Sequence, residues 1–115
     1  MTDVRYPDTL VNGVPVVATP AEIDVTTADQ LHAALLHATR KRHPVVVVDM
    51  TSTHFCDSAG LQTLITAYKR AQAEGGELRL VMPADGAVPR VFTLTGIDRF
   101  IPCFASLEEA RAKTA

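Results

Sequence analysis

The sequence has only two cysteines and no long hydrophobic run. Cys56 and Cys103 lie far apart and form no CxxC motif, which argues against a redox dithiol or a zinc knuckle and predicts two buried thiols in a reducing compartment. No stretch approaches the ~20 apolar residues that a transmembrane helix needs. The first residues lack the basic flank and apolar run of a signal peptide. We therefore expect a soluble, cytoplasmic protein without a membrane partner.

Basic charge and phosphate-binding motifs are also scarce. The formal net charge is −2, and the one short basic run, residues 40–43, is typical of the last turn of a helix rather than of a nucleic-acid interface. Gly75-Gly76 and Gly86 stand in no GxGxxG or GxxxxGK pattern. We therefore expect no nucleic-acid partner and find no sign of a nucleotide cofactor.

The residues that could bind a metal are poorly spaced for it. His32 and His37 are five residues apart, so they would not share a helix face as a ligand pair. Asp24, Asp49 and Asp57 could bind Mg²⁺ if they met at the ends of strands. Acidic residues at loop starts more often cap helices or face water. We expect no metal site.

The length of 115 residues suits one domain with a single core. Hydrophobic residues make up 47% of the chain and charged residues 21%, which is typical of a compact globular protein. We expect a short lead-in over residues 1–8 and one domain over residues 9–115. A hairpin opens this domain, since Asn12-Gly13 joins two short β-branched runs within residues 10–17.

Helix and strand patterns alternate along the rest of the chain. The predicted elements are a helix over about 28–42, a strand over 45–48, a helix from 58 to about 74, a strand over 77–82, a helix over 85–95, a strand over 100–104 and a helix after 106. Residues 19–26 are too irregular for a prediction. Alternation of this kind implies right-handed βαβ crossovers. The predicted fold class is therefore α/β, with a mixed, mostly parallel sheet of four to five strands packed with about four α-helices.

The third of these helices has a detailed prediction. Asp85 would cap it, Gly96 would lie just past its end, and the inward-facing residues would be Val88, Val91, Phe92 and Leu94.

The stretch with the strongest functional signal runs from the buried strand through a polar loop to a helix start at Asp57-Ser58-Ala59-Gly60. The first turn of a helix carries unpaired N–H groups and the positive end of the macrodipole, so Ser58 lies where an anion is stabilised. A phosphate on Ser58 would place a charge of roughly −1.5 to −2 on these donors, beside Asp57, and an acidic or apolar partner surface would not tolerate it. The simpler interpretation is that Ser58 or Asp57 only caps the helix.

The same layout of strand, turn, serine and helix raises the question of a hydrolase. Cys56 stands where a nucleophile elbow has a glycine, and all four histidines precede Ser58, whereas the α/β-hydrolase order needs one after it. A local His54-Asp57-Ser58 triad would leave the oxyanion donors unspecified. We therefore expect no catalytic residues and no enzyme activity in this chain.

The segment Asp57-Ser58-Ala59-Gly60-Leu61 resembles the Asp-Ser-x-Gly-Leu signature of the STAS domain, as found in bacterial anti-sigma factor antagonists. The strand over 45–50, Phe55, the Gly75-Gly76 turn and residues 89–97 extend the resemblance to about residues 10–113. One difference lies at Ala21-Glu22-Ile23-Asp24, where the family often has Gly-Glu-Leu-Asp.

The resemblance implies a switch protein in transcription regulation and stress response. The unphosphorylated form would bind an anti-sigma factor that is also a serine kinase and so free a sigma factor. The kinase would then phosphorylate Ser58 and end the complex, and a protein phosphatase would restore it. The resemblance also implies a partner-binding surface. Its residues would be Asp24, Asp57, Ser58, Ala59 and Gly60, with Asp24 close to Ser58.

Two alternatives stay open at this point. The chain could be a non-switching STAS interaction module in a larger signalling or transporter-associated complex, with Ser58 as a simple cap. Further phosphorylation sites could also lie among the neighbouring hydroxyl residues Thr51, Ser52, Thr53 and Thr63.

Overall fold

The computed structural model describes residues 8–11, 13–39 and 44–112. The strands are β1 (Asp8–Val11), β2 (Val14–Ala18), β3 (Glu22–Ile23), β4 (Val45–Asp49), β5 (Phe55–Cys56), β6 (Glu77–Val81) and β7 (Cys103–Phe104). The helices are α1 (Ala28–Thr39), α2 (Ser58–Ala73), α3 (Ala87–Thr95) and α4 (Leu107–Ala112), and a 3₁₀ turn covers Ile97–Arg99.

The main sheet has five strands in the order β1-β2-β4-β6-β7. The predicted hairpin is confirmed, because β1 and β2 pair antiparallel with Val11 opposite Val14. Gly13 has φ 82°, the left-handed conformation that this tight turn requires. The other neighbours pair in parallel. The mixed, mostly parallel sheet with four α-helices in the described ranges therefore confirms the predicted fold class.

Strand β4 lies at the centre of the sheet and is buried on both faces. Its four valines, Val45–Val48, are at most 3% exposed. Val46 and Val48 face the larger core under α1, α2 and α3, whereas Val45 and Val47 face a smaller core that is covered by α4. Phe104 of β7 packs against this smaller core. The absence of alternation in this strand therefore reflects a sheet that is covered on both sides.

Helix α2 follows the predicted pattern closely. Leu64, Ala67 and Ala71 are buried against the larger core. Gly75 has φ 80°, and the N–H of Gly76 donates to the Ala71 carbonyl at 2.8 Å, which ends the helix. Strand β6 begins directly after this turn, at Glu77.

A small second sheet was not predicted from the sequence. It lies in the irregular segment 19–26 and in the loop before α2, where β3 and β5 pair in parallel with Ile23 opposite Cys56. Two flanking hydrogen bonds extend the pairing, from His54 N to the Ala21 carbonyl (2.9 Å) and from Asp57 N to the Ile23 carbonyl (3.0 Å). The segment around Asp24 is thereby attached to the start of α2.

The prediction for α3 needs correction at both ends. Asp85 does not cap this helix, because the N-cap is Gly86, whose φ of 103° turns the chain into the helix without a side-chain bond. Val88 and Phe92 are buried as predicted, Val91 is half-buried, and Leu94 is 78% exposed. A helix of nine residues that packs one narrow face leaves this leucine outside the core. Gly96 ends the helix in the left-handed conformation, as predicted.

The last strand is shorter than predicted. Only Cys103 and Phe104 pair with β6, because the chain turns through the 3₁₀ segment before Phe100. The predicted start of the C-terminal helix is confirmed by a hydrogen bond from Glu109 N to Ser106 Oγ at 3.1 Å. The predicted end of α1 beyond residue 39 lies outside the described residues.

None of the described helices combines the length and the apolar character needed to cross a membrane.

Candidate functional site

Asp57 is the N-cap of α2. Its backbone is extended (φ −93°, ψ −171°), and its Oδ1 accepts hydrogen bonds from Ala59 N at 2.9 Å and Gly60 N at 3.1 Å. The Asp57 carbonyl accepts the first helical bond, from Leu61 N at 3.0 Å. The sequence left open whether Asp57 or Ser58 caps the helix, since both residue types do so. The geometry assigns the cap to Asp57.

Ser58 is the first residue of α2, and its side chain is exposed. Within the described part of the chain its hydroxyl makes no hydrogen bond. The neighbouring threonines differ, because Thr53 Oγ1 donates to the Pro20 carbonyl at 2.6 Å and Thr63 Oγ1 donates to the Ala59 carbonyl at 3.0 Å, and both side chains are buried. The exposed Thr51 donates to the Asp49 carboxylate at 2.8 Å. Ser58 therefore offers a reachable and uncommitted hydroxyl, which Thr53 and Thr63 do not.

One expectation about this helix start was wrong. The free N–H groups of the first turn were expected to receive a phosphate on Ser58, but Asp57 already holds two of them. A third donor, the N–H of Asp57 itself, is bound to the Ile23 carbonyl at 3.0 Å. Two amides of the first turn of α2 are therefore already bound by an anionic side chain of the protein.

Gly60 is buried and lies against the small second sheet. A Cβ on this residue would lie 2.6 Å from Ile23 Cγ2 and 2.7 Å from Cys56 Sγ, closer than real Cβ contacts. The glycine of the Asp-Ser-x-Gly-Leu signature therefore allows the first turn of α2 to approach β3 and β5. This contact places Ser58 beside the residues that follow β3.

Asp24 follows Ile23 and so lies beside Asp57, whose N–H is bound to the Ile23 carbonyl. Its Oδ1 accepts hydrogen bonds from the hydroxyl and the N–H of Thr26, the latter at 2.9 Å. These bonds, the side-chain bond first, lower the pKa of the Asp24 carboxyl below its ordinary value. Asp24 therefore adds a second carboxylate beside Asp57, at the end of the small second sheet.

Two exposed apolar side chains flank this site and were not assigned to it from the sequence. Phe55, on the outer face of β5, is 46% exposed, and Val25, directly after Asp24, is 74% exposed. Large apolar residues in such positions are typical of protein-binding surfaces. Phe55 could have been found from its place beside the signature, but the exposure of Val25 carries no sequence signal.

The sequence segments that carry the site have acidic but no basic side chains. Residues 13–39 and 44–68 contain no lysine or arginine. Their acidic residues are Glu22, Asp24, Asp29, Asp49 and Asp57. An added phosphate would therefore enter a part of the chain that is already acidic.

The geometry gives no support to a nucleophilic enzyme at this point. The Asp57 carboxylate is bound to backbone amides, and no hydrogen bond joins His54 to Ser58 among the described residues. Cys56 is buried as predicted, and burial, with a smaller effect from Asp57, raises the pKa of its thiol to about 12. Cys103 was also expected to be buried but is only half-buried. The Cys56 thiol is therefore a packing group rather than a nucleophile.

The residues considered for a metal do not form a complete ligand group, although Asp24 and Asp57 lie side by side. The described ranges contain no group of three or more His, Cys, Asp or Glu side chains that could hold an ion. Asp24 and Asp49 each bind their own loop, Asp49 through Thr51 N at 3.0 Å. His32 and His37 are both exposed on α1.

Comparisons with known proteins agree on one family. The family model of the STAS domain matches residues 6–110. The anti-sigma-F factor antagonist RsfB of Mycobacterium tuberculosis is 29% identical over 100 residues, which cover 86% of this chain and 80% of that protein.

Solved structures share the fold. The crystal structure of an anti-sigma factor antagonist from Mycobacterium paratuberculosis has a TM-score of 0.81 and 29% identity, and the match covers 96% of this chain and 98% of that one. The phosphorylated form of the Bacillus cell fate determinant SpoIIAA has a TM-score of 0.68 and 19% identity, with 93% of this chain and 96% of that one covered.

Proposed function

Because this chain belongs to the STAS domain family, we propose that it is an anti-sigma factor antagonist that is switched at Ser58. The unphosphorylated form binds an anti-sigma factor with serine-kinase activity, and the sigma factor is released. Phosphorylation of Ser58 by that kinase ends the complex, and a protein phosphatase restores it. The similarity to RsfB supports the antagonist role.

The observation that carries the proposal is the exposed Ser58 hydroxyl. The helix does not need this hydroxyl as a cap, because Asp57 is the N-cap. Asp57 supplies both side-chain bonds to the first turn of α2, so a structural role for the Ser58 hydroxyl is not required. The interpretation of Ser58 as a simple cap therefore loses its physical basis. A serine without a structural role, at an exposed helix start, suits a kinase substrate.

The proposed reaction uses this chain only as the acceptor. Ser58 Oγ attacks the γ-phosphorus of ATP held by the kinase, the bond from that phosphorus to the β,γ-bridging oxygen breaks, and ADP leaves. The hydroxyl proton passes to a base of the kinase. The phosphatase later hydrolyses the ester with water, which returns the hydroxyl and inorganic phosphate. The catalytic groups of both steps belong to the partners.

Release follows from charge and desolvation. The phosphate adds a charge of roughly −1.5 to −2 between Asp57 and a partner seated on Phe55. An anion that must lose its water against an apolar or acidic surface disfavours docking by a few kcal/mol. The segments that carry the site, residues 13–39 and 44–68, contain no lysine or arginine to neutralise it.

Incubation with the cognate kinase and ATP, followed by mass spectrometry, tests the proposal. We expect one phosphate on Ser58 and none on the Ser58→Ala variant. Ser52→Ala is the matched control, because Ser52 is an exposed serine in the adjacent loop, and it should be phosphorylated like the wild type.

Binding assays with the same kinase test the release. Ser58→Glu should bind more weakly than the wild type, since it carries a permanent charge at the helix start. Binding of Ser58→Glu as strong as that of the wild type would contradict the switch. A Ser58→Ala variant that leaves partner release unchanged in cells would instead support the non-switching module.

A further inference from the structure

The start of α2 offers almost no free donor to a phosphate. Asp57 Oδ1 holds Ala59 N at 2.9 Å and Gly60 N at 3.1 Å, and Asp57 N donates to the Ile23 carbonyl at 3.0 Å. In the described part of the chain, the one backbone amide of this turn without an acceptor is that of Ser58. A helix N-terminus normally attracts phosphate, but here the position is taken by a carboxylate.

We propose, resting on the proposed phosphorylation of Ser58, that Asp57 is a positioning residue of the switch, which keeps the phosphate off the amides of Ala59 and Gly60 and turned outward. To reach Ala59 N and Gly60 N, the phosphate would have to displace a carboxylate that already makes two charge-assisted hydrogen bonds. The phosphate and the Asp57 carboxylate are on adjacent residues, so these two anions also repel each other. The phosphate of the intact protein therefore stays on the outer side of Ser58, where a partner docks.

The converse defines the role of Asp57. Without its carboxylate, Ala59 N and Gly60 N are free, and the phosphate can fold back onto them as a substitute cap. A phosphate bound in this way is partly neutralised by its own molecule and extends less toward a partner. Asp57 is therefore needed for a clear difference in partner binding between the phosphorylated and the unphosphorylated form, in addition to its role as a cap.

The test uses phosphoserine placed at position 58 during translation, so that no kinase is needed. NMR measures the hydrogen-exchange rates and proton shifts of the Ala59 and Gly60 amides, with and without phosphate. In the wild type we expect phosphorylation to slow the exchange of these amides no more than in the control described below, and clearly less than in Asp57→Ala. In Asp57→Ala we expect phosphorylation to slow exchange about fivefold, the factor for a cap worth about 1 kcal/mol, with downfield shifts of both amide protons.

Asp49→Ala is the matched control. Asp49 is a carboxylate at the same end of the main sheet and binds Thr51 N at 3.0 Å, without contact to the α2 amides. This variant should behave like the wild type. The comparison also removes the general effect of a nearby negative charge on base-catalysed exchange, because every phosphorylated variant carries the same phosphate.

Asp57→Asn decides the question if Asp57→Ala does not fold, because asparagine is an equally good cap without the charge. In Asp57→Asn, phosphorylation should also slow the exchange of the Ala59 and Gly60 amides, by a smaller factor than in Asp57→Ala. Slowing in the wild type equal to that in Asp57→Ala would mean that the phosphate displaces Asp57, and no slowing in either variant would mean that it does not seek these amides. Either result would overturn the inference. Neither depends on a kinase or a partner, so a failure of the proposed function would be recognised separately, in the binding assays.

Discussion

Gly60 lies where the first turn of α2 crosses the small second sheet, and its missing side chain is what allows the contact. Gly60→Ala would bring a Cβ to 2.6 Å from Ile23 Cγ2 and 2.7 Å from Cys56 Sγ. Overpacking of this kind costs about 1–3 kcal/mol, which exceeds the gain of up to about 1 kcal/mol from replacing glycine in a helix. We expect Gly60→Ala to lower the free energy of unfolding by about 1–2 kcal/mol in urea denaturation.

Gln62→Ala is the control for this prediction, because Gln62 is exposed on the same helix. It should change the stability by less than about 0.5 kcal/mol. Ile23→Ala removes the closest contact, so the double variant should lose less stability than the sum of the losses in the two single variants. A Gly60→Ala protein more stable than the wild type would show that the close approach is not constrained.

Phe55 and Phe100 form a matched pair for testing the binding surface. The two rings are 46% and 45% exposed, but Phe55 is three residues before Ser58, whereas Phe100 packs against Tyr68 at a centroid distance of 5.6 Å. Tyr68 is ten residues along α2 from Ser58, or about 15 Å. Phe55→Ala should weaken binding of the anti-sigma factor at least about tenfold, as expected for an aromatic anchor in an interface.

Phe100→Ala should leave that affinity unchanged, although it loses the ring contact with Tyr68 and some stability. Isothermal titration calorimetry with the purified partner measures both variants. Equal losses of affinity for the two variants would mean that the interface is not centred on Ser58.

At the scale of the elements, Arg79 explains how the short helix α4 is held on the sheet. This arginine of β6 is only 5% exposed, and its Nη1 donates to the Ala110 carbonyl of α4 at 2.6 Å. Its Nε donates to the Glu77 carboxylate at 3.1 Å, and its guanidinium lies 5.7 Å from the centre of the Phe104 ring. One buried cation therefore joins β6, β7 and α4.

Arg79→Ala should lower the free energy of unfolding by about 2 kcal/mol, because it leaves the Ala110 carbonyl and the Glu77 carboxylate without this donor. The loss stays below that of a fully buried pair, since the Glu77 side chain is 36% exposed and can be hydrated. Arg79→Met keeps much of the volume and should cost less. Urea denaturation measures the stability, and hydrogen exchange in α4 should rise more in Arg79→Ala than in Arg79→Met.

The long elements were predictable because several periods of their pattern fit within each of them. Helix α2 shows four turns of apolar spacing, and β4 is a continuous valine run. Strands β3 and β5 have two residues each, too few for any period, and only their long-range pairing makes them strands. The position of Ser58 was predictable for the same reason as α2, whereas its neighbours on β3 depend on that unpredicted pairing.

The choice between Asp57 and Ser58 as the cap could not be made from the sequence. Both residue types are good caps and they are adjacent, so the register of the first turn decides between them. That register depends on the bond from Asp57 N to the Ile23 carbonyl, a contact between segments far apart in the chain. The occupied helix start was therefore a structural finding.

At the scale of the whole molecule, the two cores share one sheet. Val46 and Val48 belong to the larger core, Val45 and Val47 to the smaller one, and all four are consecutive residues of β4. Loss of either core would expose one face of the same central strand, at about 25 cal/mol for each Å² of apolar surface. The cores are therefore coupled through the backbone of β4.

This coupling predicts that the molecule unfolds as one cooperative unit. In urea, the methyl NMR signals of Val46 and Val47, which report on opposite faces of β4, should lose their native intensity at the same midpoint. Val47→Ala creates a cavity in the smaller core and should shift both midpoints together, by the equivalent of about 1–3 kcal/mol. A midpoint for Val47 clearly below that of Val46 would show that the face under α4 melts first, as a separate unit. In that case Arg79 would stabilise the attachment of α4 alone, and Arg79→Ala would lower the Val47 midpoint without changing that of Val46.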